Sequence, residues 1–200
     1  DLPGVRAAGE QNLRAGGEWK ITKPRAWGHI FLGSVEYETN NLEAARQHFL
    51  AAYDDRFGAA IVLGLDAAYG LALTFAAQGD KDSAAYWAGR MAALAREAEN
   101  VYLVGVAEWF ACRLALNEGA TPPVPNAQLW CVGKTPPFQY RWTELPDITY
   151  ARLLIAQGRR AGLAEAVELM QRLGDWCERF HFQWRSIEAL TVLALAQEAQ

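Results

Sequence analysis

The chain has 200 residues, of which 52 % are hydrophobic, and its formal net charge is −4. This composition excludes an intrinsically disordered chain, because it supplies enough apolar surface to bury a core. The acidic balance and the lack of any run of five or more Lys and Arg residues disfavour direct nucleic-acid binding. The longest apolar runs, such as residues 59–65, are too short to cross a bilayer.

Turn-forming residues recur along the chain at a nearly fixed interval. They are Asn40, Gly79, Gly119 and Gly158, with gaps of 39, 40 and 39 residues. Each follows an apolar stretch with helical periodicity, and Gly or Asn tolerates the left-handed conformation that ends a helix. A fixed period in this range indicates an array of helix hairpins. We therefore predict an all-α fold, an α-α superhelix of four to five units that forms one domain over residues 1–200.

The first part of the chain repeats one hairpin design. Residues 1–25 are predicted to end an earlier unit, with Leu13 and Trp19 as apolar anchors. Residues 26–57 form the first complete unit, and residues 65–99 repeat it around the Gly79 turn. The small residues expected to let paired helices approach closely are Gly33, Ala45, Ala72 and Ala84.

The second helix of the 65–99 unit is expected to begin at Asp82 or Ser83, since both residue types favour helix starts.

The third unit, residues 101–146, is irregular. Residues 101–117 have the pattern of a good first helix. Prolines then exclude a helix interior around residues 121–125, and a short helix is predicted over residues 126–132. Four aromatic residues indicate that this stretch packs down: Trp130, Phe138, Tyr140 and Trp142.

The regular pattern resumes in the fourth unit, residues 147–182. Asp147 is expected to cap its first helix, and a second helix is predicted from residue 163 to about residue 180. Residues 184–200 have the pattern of the first helix of a partial fifth unit.

The cysteines and the chain ends carry expectations about compartment and extent. Cys112, Cys131 and Cys177 form no Cys-x-x-Cys pair, which fits a reducing cytoplasm. We expect Cys112 and Cys177 to be buried free thiols. The chain starts at Asp1 without a signal-peptide pattern, and the turn spacing places the next turn near Gln197. We therefore expect a cytoplasmic fragment of a larger protein.

Several segments resemble known helical repeats. Leu32 and Gly33, followed by Ala45 and Phe49, resemble the tetratricopeptide pattern W-x2-L-G-x2-Y…A-x3-F. His29 and Glu36 replace its Trp and Tyr, and the period is 39 to 40 rather than 34.

Residues 42–46, 150–159 and 190–196 are more similar to the variant array of LuxR-type, ATP-dependent transcription regulators related to the maltose-regulon activator. This resemblance covers roughly residues 26–200.

The resemblance implies a regulatory function. In that family a right-handed superhelical domain links a nucleotide-binding module to a DNA-binding helix-turn-helix. This chain contains no Walker-type Gly-Lys-Ser/Thr loop, so ATP and DNA would be handled by other domains of the parent protein. The expected function is a non-catalytic sensor and protein-interaction domain without a cofactor, which binds a small effector or a protein partner in its concave groove.

The resemblance also implies which positions of the first helices line that groove. The principal binding candidates are Trp27, Tyr37, Asp66, Tyr69, Trp109, Arg113, Arg152 and Trp184. The same register adds Ile30, Ser34, Leu73, Val106, Ile148 and Ile187. Arg113 and Arg152 occupy equivalent positions in neighbouring units, and we expect them to hold an anionic or polyhydroxyl group jointly. The alternative is that each forms a salt bridge along the groove wall.

Two other functions are compatible with a helical-repeat fold. The first is a tetratricopeptide-like scaffold unrelated to transcription, although the expected sites of the basic clamp for a peptide carboxylate carry Ile30, Ser34 and Gly70. The second is an enzyme such as a helical glycosidase, which needs two placed carboxylates. No such pair stands out in the sequence. His29, His48 and His181 share no metal-binding spacing, which predicts packing or surface roles.

Overall fold

The computed structural model describes residues 1–125, 144–180 and 182–200, without the side chains of Gln183 and Trp184. The predicted helix over residues 126–132 and the four aromatic residues of the irregular stretch lie outside this part, as does Cys131. Within it the chain forms nine α-helices and one 3-10 helix, and no β-strand. The all-α prediction is confirmed, whereas the superhelical winding stays a prediction.

The chain divides into two compact units, Asp1–Leu103 and Val104–Gln200. Whether they belong to one repeat domain stays a prediction. The helices of the first unit are α1 Leu2–Trp19, α2 Thr22–Glu38, α3 Leu42–Asp54, a 3-10 helix Asp55–Phe57, α4 Ile61–Ala77 and α5 Lys81–Glu97. Helix α6, Val101–Asn117, begins at the end of the first unit and lies mainly in the second. The second unit continues with α7 Pro146–Gln157, α8 Arg160–Arg179 and α9 Gln183–Glu198.

The four turn residues found in the sequence all adopt the left-handed conformation. Their φ angles are 60° at Asn40, 80° at Gly79, 81° at Gly119 and 64° at Gly158. At the Gly79 turn, the Asp80 amide donates to the Phe75 carbonyl at 3.0 Å, which closes the end of α4. Consecutive helices on either side of such turns pack as pairs, α2 with α3, α4 with α5, and α7 with α8.

Four local predictions were wrong. Helix α8 begins at Arg160, three residues before the predicted start at residue 163. Helix α5 begins at Lys81, because Asp80 is its N-cap and accepts the Ser83 amide at 3.0 Å. Asp147 does not cap α7, since Leu145 occupies the N-cap position and Asp147 lies buried in the first turn after Pro146. Trp19 is 68 % exposed and anchors nothing at the end of α1.

Of the two predicted anchors in α1, Leu13 fits better: it is half-buried, and its side chain lies where a Cβ on Gly28 would sit.

The core of the second unit lies between α7, α8 and α9. It is built by apolar side chains that recur at helical spacing. Its fully or nearly fully buried members are Ile148, Ala151, Leu154, Ala166, Leu169, Met170, Leu173, Cys177, Ala189, Val192 and Ala196. A smaller cluster of Trp109, Cys112 and Leu153 joins α6 to α7. Cys112 and Cys177 are free and buried as predicted, and burial raises the pKa of each thiol to about 11.

The closest helix contacts in the first unit surround Phe49 of α3. A Cβ on Gly33 of α2 would lie 2.8 Å from the Phe49 ring, and a Cβ on Gly70 of α4 would lie 2.5 Å from it. The ring therefore fills space that two glycines leave open on two different helices. The prediction that Gly33 permits a close approach is confirmed, and Gly70 serves the same purpose on α4.

We expect Gly70→Ala to destabilise the protein. The new methyl group would overpack the Phe49 site, at a cost of about 1–3 kcal/mol. This cost exceeds the gain of roughly 0.5–1 kcal/mol from removing a glycine inside a helix. Gly89→Ala in α5 is the matched control, because a Cβ there meets nothing within 4 Å. Urea unfolding should show a lower midpoint for Gly70→Ala and a higher one for Gly89→Ala, and equal shifts would contradict the tight packing.

Candidate functional site

Half of the principal groove candidates belong to the first unit. Trp27 and Tyr37 are half-buried on α2, and the Trp27 ring lies 5.4 Å from the ring of Phe31. Asp66 and Tyr69 are buried in α4. The structure thus places the two α2 residues partly at the surface and the two α4 residues inside the protein. Their contact with a ligand stays a prediction.

The second unit contains the other four candidates. Trp109 is fully buried and packs edge-on against Tyr150 at 5.8 Å between ring centroids. Arg113 and Arg152 are partly exposed and come together, as described below. Trp184 lies in α9, and its side chain is outside the described part of the structure.

The additional groove positions also range from buried to exposed. Ile30, Val106 and Ile148 are buried core residues, and Ser34 and Leu73 are half-buried. Ile187 is 67 % exposed on α9.

Five charged residues of the second unit form what we call the arginine–glutamate cluster: Arg113, Glu144, Arg152, Arg185 and Glu188. An Arg152 nitrogen lies 3.3 Å from Oε1 of Glu188, and an Arg113 nitrogen lies 3.9 Å from the same oxygen. Arg185 reaches Oε2 of Glu188 at 2.9 Å. Helices α6, α7 and α9 each contribute at least one arginine, so the cluster joins three predicted first helices.

Glu144 positions Arg113 within this cluster. Its carboxylate is almost fully buried just before α7 and accepts Arg113 at 3.1 Å on Oε2. The Thr149 hydroxyl donates to Oε1 of the same carboxylate. Burying a carboxylate costs free energy unless it has such partners, so Glu144 depends on both donors. The contact with Glu144 in turn holds Arg113 at the N-terminal end of α7.

The arginines govern the charge of Glu188. Burial alone would raise the pKa of its carboxyl, but Arg185, Arg113 and Arg152 together hold it below its usual range. Glu188 is therefore ionised at neutral pH. Three guanidinium groups face two carboxylates in the cluster, which leaves one positive charge in excess.

The sequence predicted part of this cluster. It expected Arg113 and Arg152 to act jointly, and the structure brings both to one oxygen of Glu188 in the salt-bridge form named as the alternative. Glu144, Arg185 and Glu188 were missed. A usable signal existed for Glu188, because it lies four residues after Trp184 and therefore shares a helix face with it.

Asp66 is the most perturbed acid of the first unit. It is 2 % exposed, and neither carboxylate oxygen has a hydrogen-bond partner among the described residues. Burial raises the pKa of its carboxyl to about 8. Asp66 is therefore mainly protonated at neutral pH, which allows this residue of α4 to remain in the apolar interior of the protein.

His29 and His48 form a pair that the sequence did not predict. Their Nδ1 atoms are 3.0 Å apart, and their ring centroids are 5.3 Å apart, so the two nitrogens point almost straight at each other. This geometry fits one N–H···N hydrogen bond, which needs the accepting ring to be neutral. Burial lowers the pKa of both rings, and His48 lowers that of His29 further. The charged groups that act on the pair are Arg6, Arg25, Glu36 and Asp55.

Two further features concern metal and membrane binding. No group of three or more potential metal ligands occurs within the described residues. None of the helices in that part of the chain combines the length and the apolar character that a membrane span needs.

Comparisons of this chain with protein-family models, with curated proteins and with solved structures gave no match. Its function is therefore argued from its own residues and geometry.

Asp66→Asn should change the pH dependence of stability. The folded-state pKa of about 8 lies above the ordinary 3.8, so Asp66 makes the wild type lose stability as pH rises between these values. The slope is about 1.4 kcal/mol per pH unit, or about 3 kcal/mol from pH 5 to pH 7. Urea unfolding should show that the variant lacks this slope, whereas Asp54→Asn at the exposed end of α3 keeps it. Parallel pH profiles for all three proteins would contradict a buried, protonated Asp66.

The histidine pair should have the opposite effect. Because its folded-state pKa values are lowered, stability is present above the ordinary pKa of 6.5 and is lost as pH falls below it. We expect the melting temperature of the wild type to drop more between pH 7 and pH 5 than that of His29→Gln. An equal drop would show that the pair does not titrate with folding.

Proposed function

We propose that this chain is a non-catalytic sensor and protein-interaction domain of a LuxR-type transcription regulator, with its hairpins wound into a right-handed superhelix. The sequence resemblance of residues 42–46, 150–159 and 190–196 supports this assignment. The left-handed turns and the paired helices agree with it. In this proposal the parent protein is cytoplasmic, and its other domains handle ATP and DNA.

The arginine–glutamate cluster is the observation that carries the proposed binding function. It brings guanidinium groups from α6, α7 and α9 to one place, and those of Arg113 and Arg152 belong to partly exposed side chains. Arginine is the residue type best suited to directional recognition, since its planar fork offers five donors. We propose that a small effector, or a group presented by a partner protein, contacts the second unit here.

The charge state of the cluster favours recognition over proton transfer. Glu188 is held ionised by three arginines, whereas a general acid needs a raised pKa at neutral pH. The Glu188 carboxylate fixes the orientation of the arginine side chains that donate to it. These side chains are then ready to bind an incoming polar group.

Ligand titration of the wild-type chain tests this proposal. Tryptophan fluorescence and thermal shift would be followed during titration with sugars, nucleosides, carboxylates and peptides. Because Trp109 lies one helical turn from Arg113, its emission should report binding at the cluster. A flat response across the panel would contradict the effector function.

Arg152→Ala should weaken binding of any responding compound by about tenfold or more, since it removes a charge-assisted hydrogen bond. Its melting temperature should stay close to that of the wild type, because a partly exposed salt bridge contributes about 0–1 kcal/mol. Arg172→Ala is the matched control, since Arg172 forms an exposed pair with Glu168 along α8. Equal binding by both variants would place the ligand elsewhere.

A further inference from the structure

Glu188 occupies the centre of the cluster in the manner of a bound carboxylate. Its Oε1 faces Arg113 and Arg152 from two other helices, while its Oε2 pairs with Arg185 on its own helix. Its side chain is 18 % exposed. A side chain of this kind fills the place that an anionic ligand would fill.

The fit of Glu188 to the arginines of α6 and α7 is incomplete. The Arg152 contact is long at 3.3 Å and involves one nitrogen, and the 3.9 Å separation from Arg113 exceeds hydrogen-bond distance. A guanidinium group binds a carboxylate best through two parallel hydrogen bonds. Glu188 is tethered to α9, whereas a free carboxylate can move to the position that both arginines favour.

The charge balance also favours an anion. The cluster holds one more guanidinium group than carboxylates. The side chain of Arg152 is 29 % exposed, so part of this arginine is accessible from solvent.

The geometry points to a carboxylate-binding site at the arginine–glutamate cluster, where a small organic carboxylate displaces the Glu188 side chain from Arg113 and Arg152. This inference rests on the proposed effector function and names the class of effector. The displaced Glu188 carboxylate stays paired with Arg185 on its own helix, so the buried Arg185 guanidinium group keeps its carboxylate partner. Glu188 thus competes with the ligand and sets its affinity.

A planar carboxylate matches this site better than the alternatives. A neutral sugar would leave the excess positive charge uncompensated and could not replace the charge of Glu188. Arginine also binds phosphate, but a tetrahedral group does not match the planar carboxylate that occupies the site now.

Removal of the internal competitor provides the sharpest test. Calorimetric titrations would use acetate, succinate, citrate and benzoate, with ionic strength held constant by chloride and with glucose and inorganic phosphate for comparison. Glu188→Gln should bind at least one of these carboxylates about threefold or more tightly than the wild type, because the amide keeps the shape but not the charge of the competitor. Glu168→Gln on α8 removes the same charge at an exposed position and should bind as the wild type does.

The double variant Glu188→Gln/Arg152→Ala should bind the same carboxylate about tenfold more weakly than Glu188→Gln alone. Circular dichroism and melting curves of each variant would establish that it is folded.

The possible outcomes separate this inference from the function on which it rests. If no carboxylate binds the folded Glu188→Gln variant saturably, the carboxylate site is wrong. Binding of phosphate alone, or of glucose with sensitivity to Arg152→Ala, would likewise overturn it while leaving the proposed effector function in place. If no compound in the wider effector panel binds, the carboxylate site and the proposed effector function are both wrong. Carboxylate binding that is equally improved by Glu168→Gln would reveal a general charge effect and contradict competition by Glu188.

Discussion

Close approach between neighbouring helices is the constraint on which the described packing depends. In the first unit the ring of Phe49 lies against backbone at Gly33 and Gly70, on the two helices that flank α3. A side chain at either glycine would force the ring or a helix to move, and interiors at normal density have little room for such a change. The hairpins therefore need small residues at a few fixed points, while large apolar residues fill the remaining core.

Apolar packing in the second unit brings its charged residues together. Trp109 and Cys112 of α6 pack on Leu153 of α7, and this contact sets the two helices side by side. Arg113 and Arg152 then lie near enough to reach one oxygen of Glu188. Carboxylates as poorly exposed as Glu144 and Glu188 persist there because guanidinium groups compensate them.

The first unit contains buried titratable groups whose charged forms are unfavourable in an apolar core. Asp66 stays in an apolar helix by remaining protonated, and the His29–His48 pair stays half-buried by remaining neutral. Asp66 lowers stability as the pH rises, and the histidines lower it as the pH falls. Together they favour a stability maximum at mildly acidic to neutral pH for this unit. Sites at which a sequence departs from ordinary core composition are the ones most often tied to function.

The sequence by itself determined the all-α class, the left-handed turns and the bounds of α6 at residues 101–117. These features depend on local periodicity and backbone conformation, which neighbouring residues specify. The tertiary structure alone decided that Glu188 meets Arg113 and Arg152, that His29 meets His48, and that Trp19 is exposed while Asp147 is buried. The contacting residues in these cases lie on different helices, up to 75 positions apart in the case of Arg113 and Glu188. Their meeting depends on how the helices rotate and pack, a property that no single helix pattern contains.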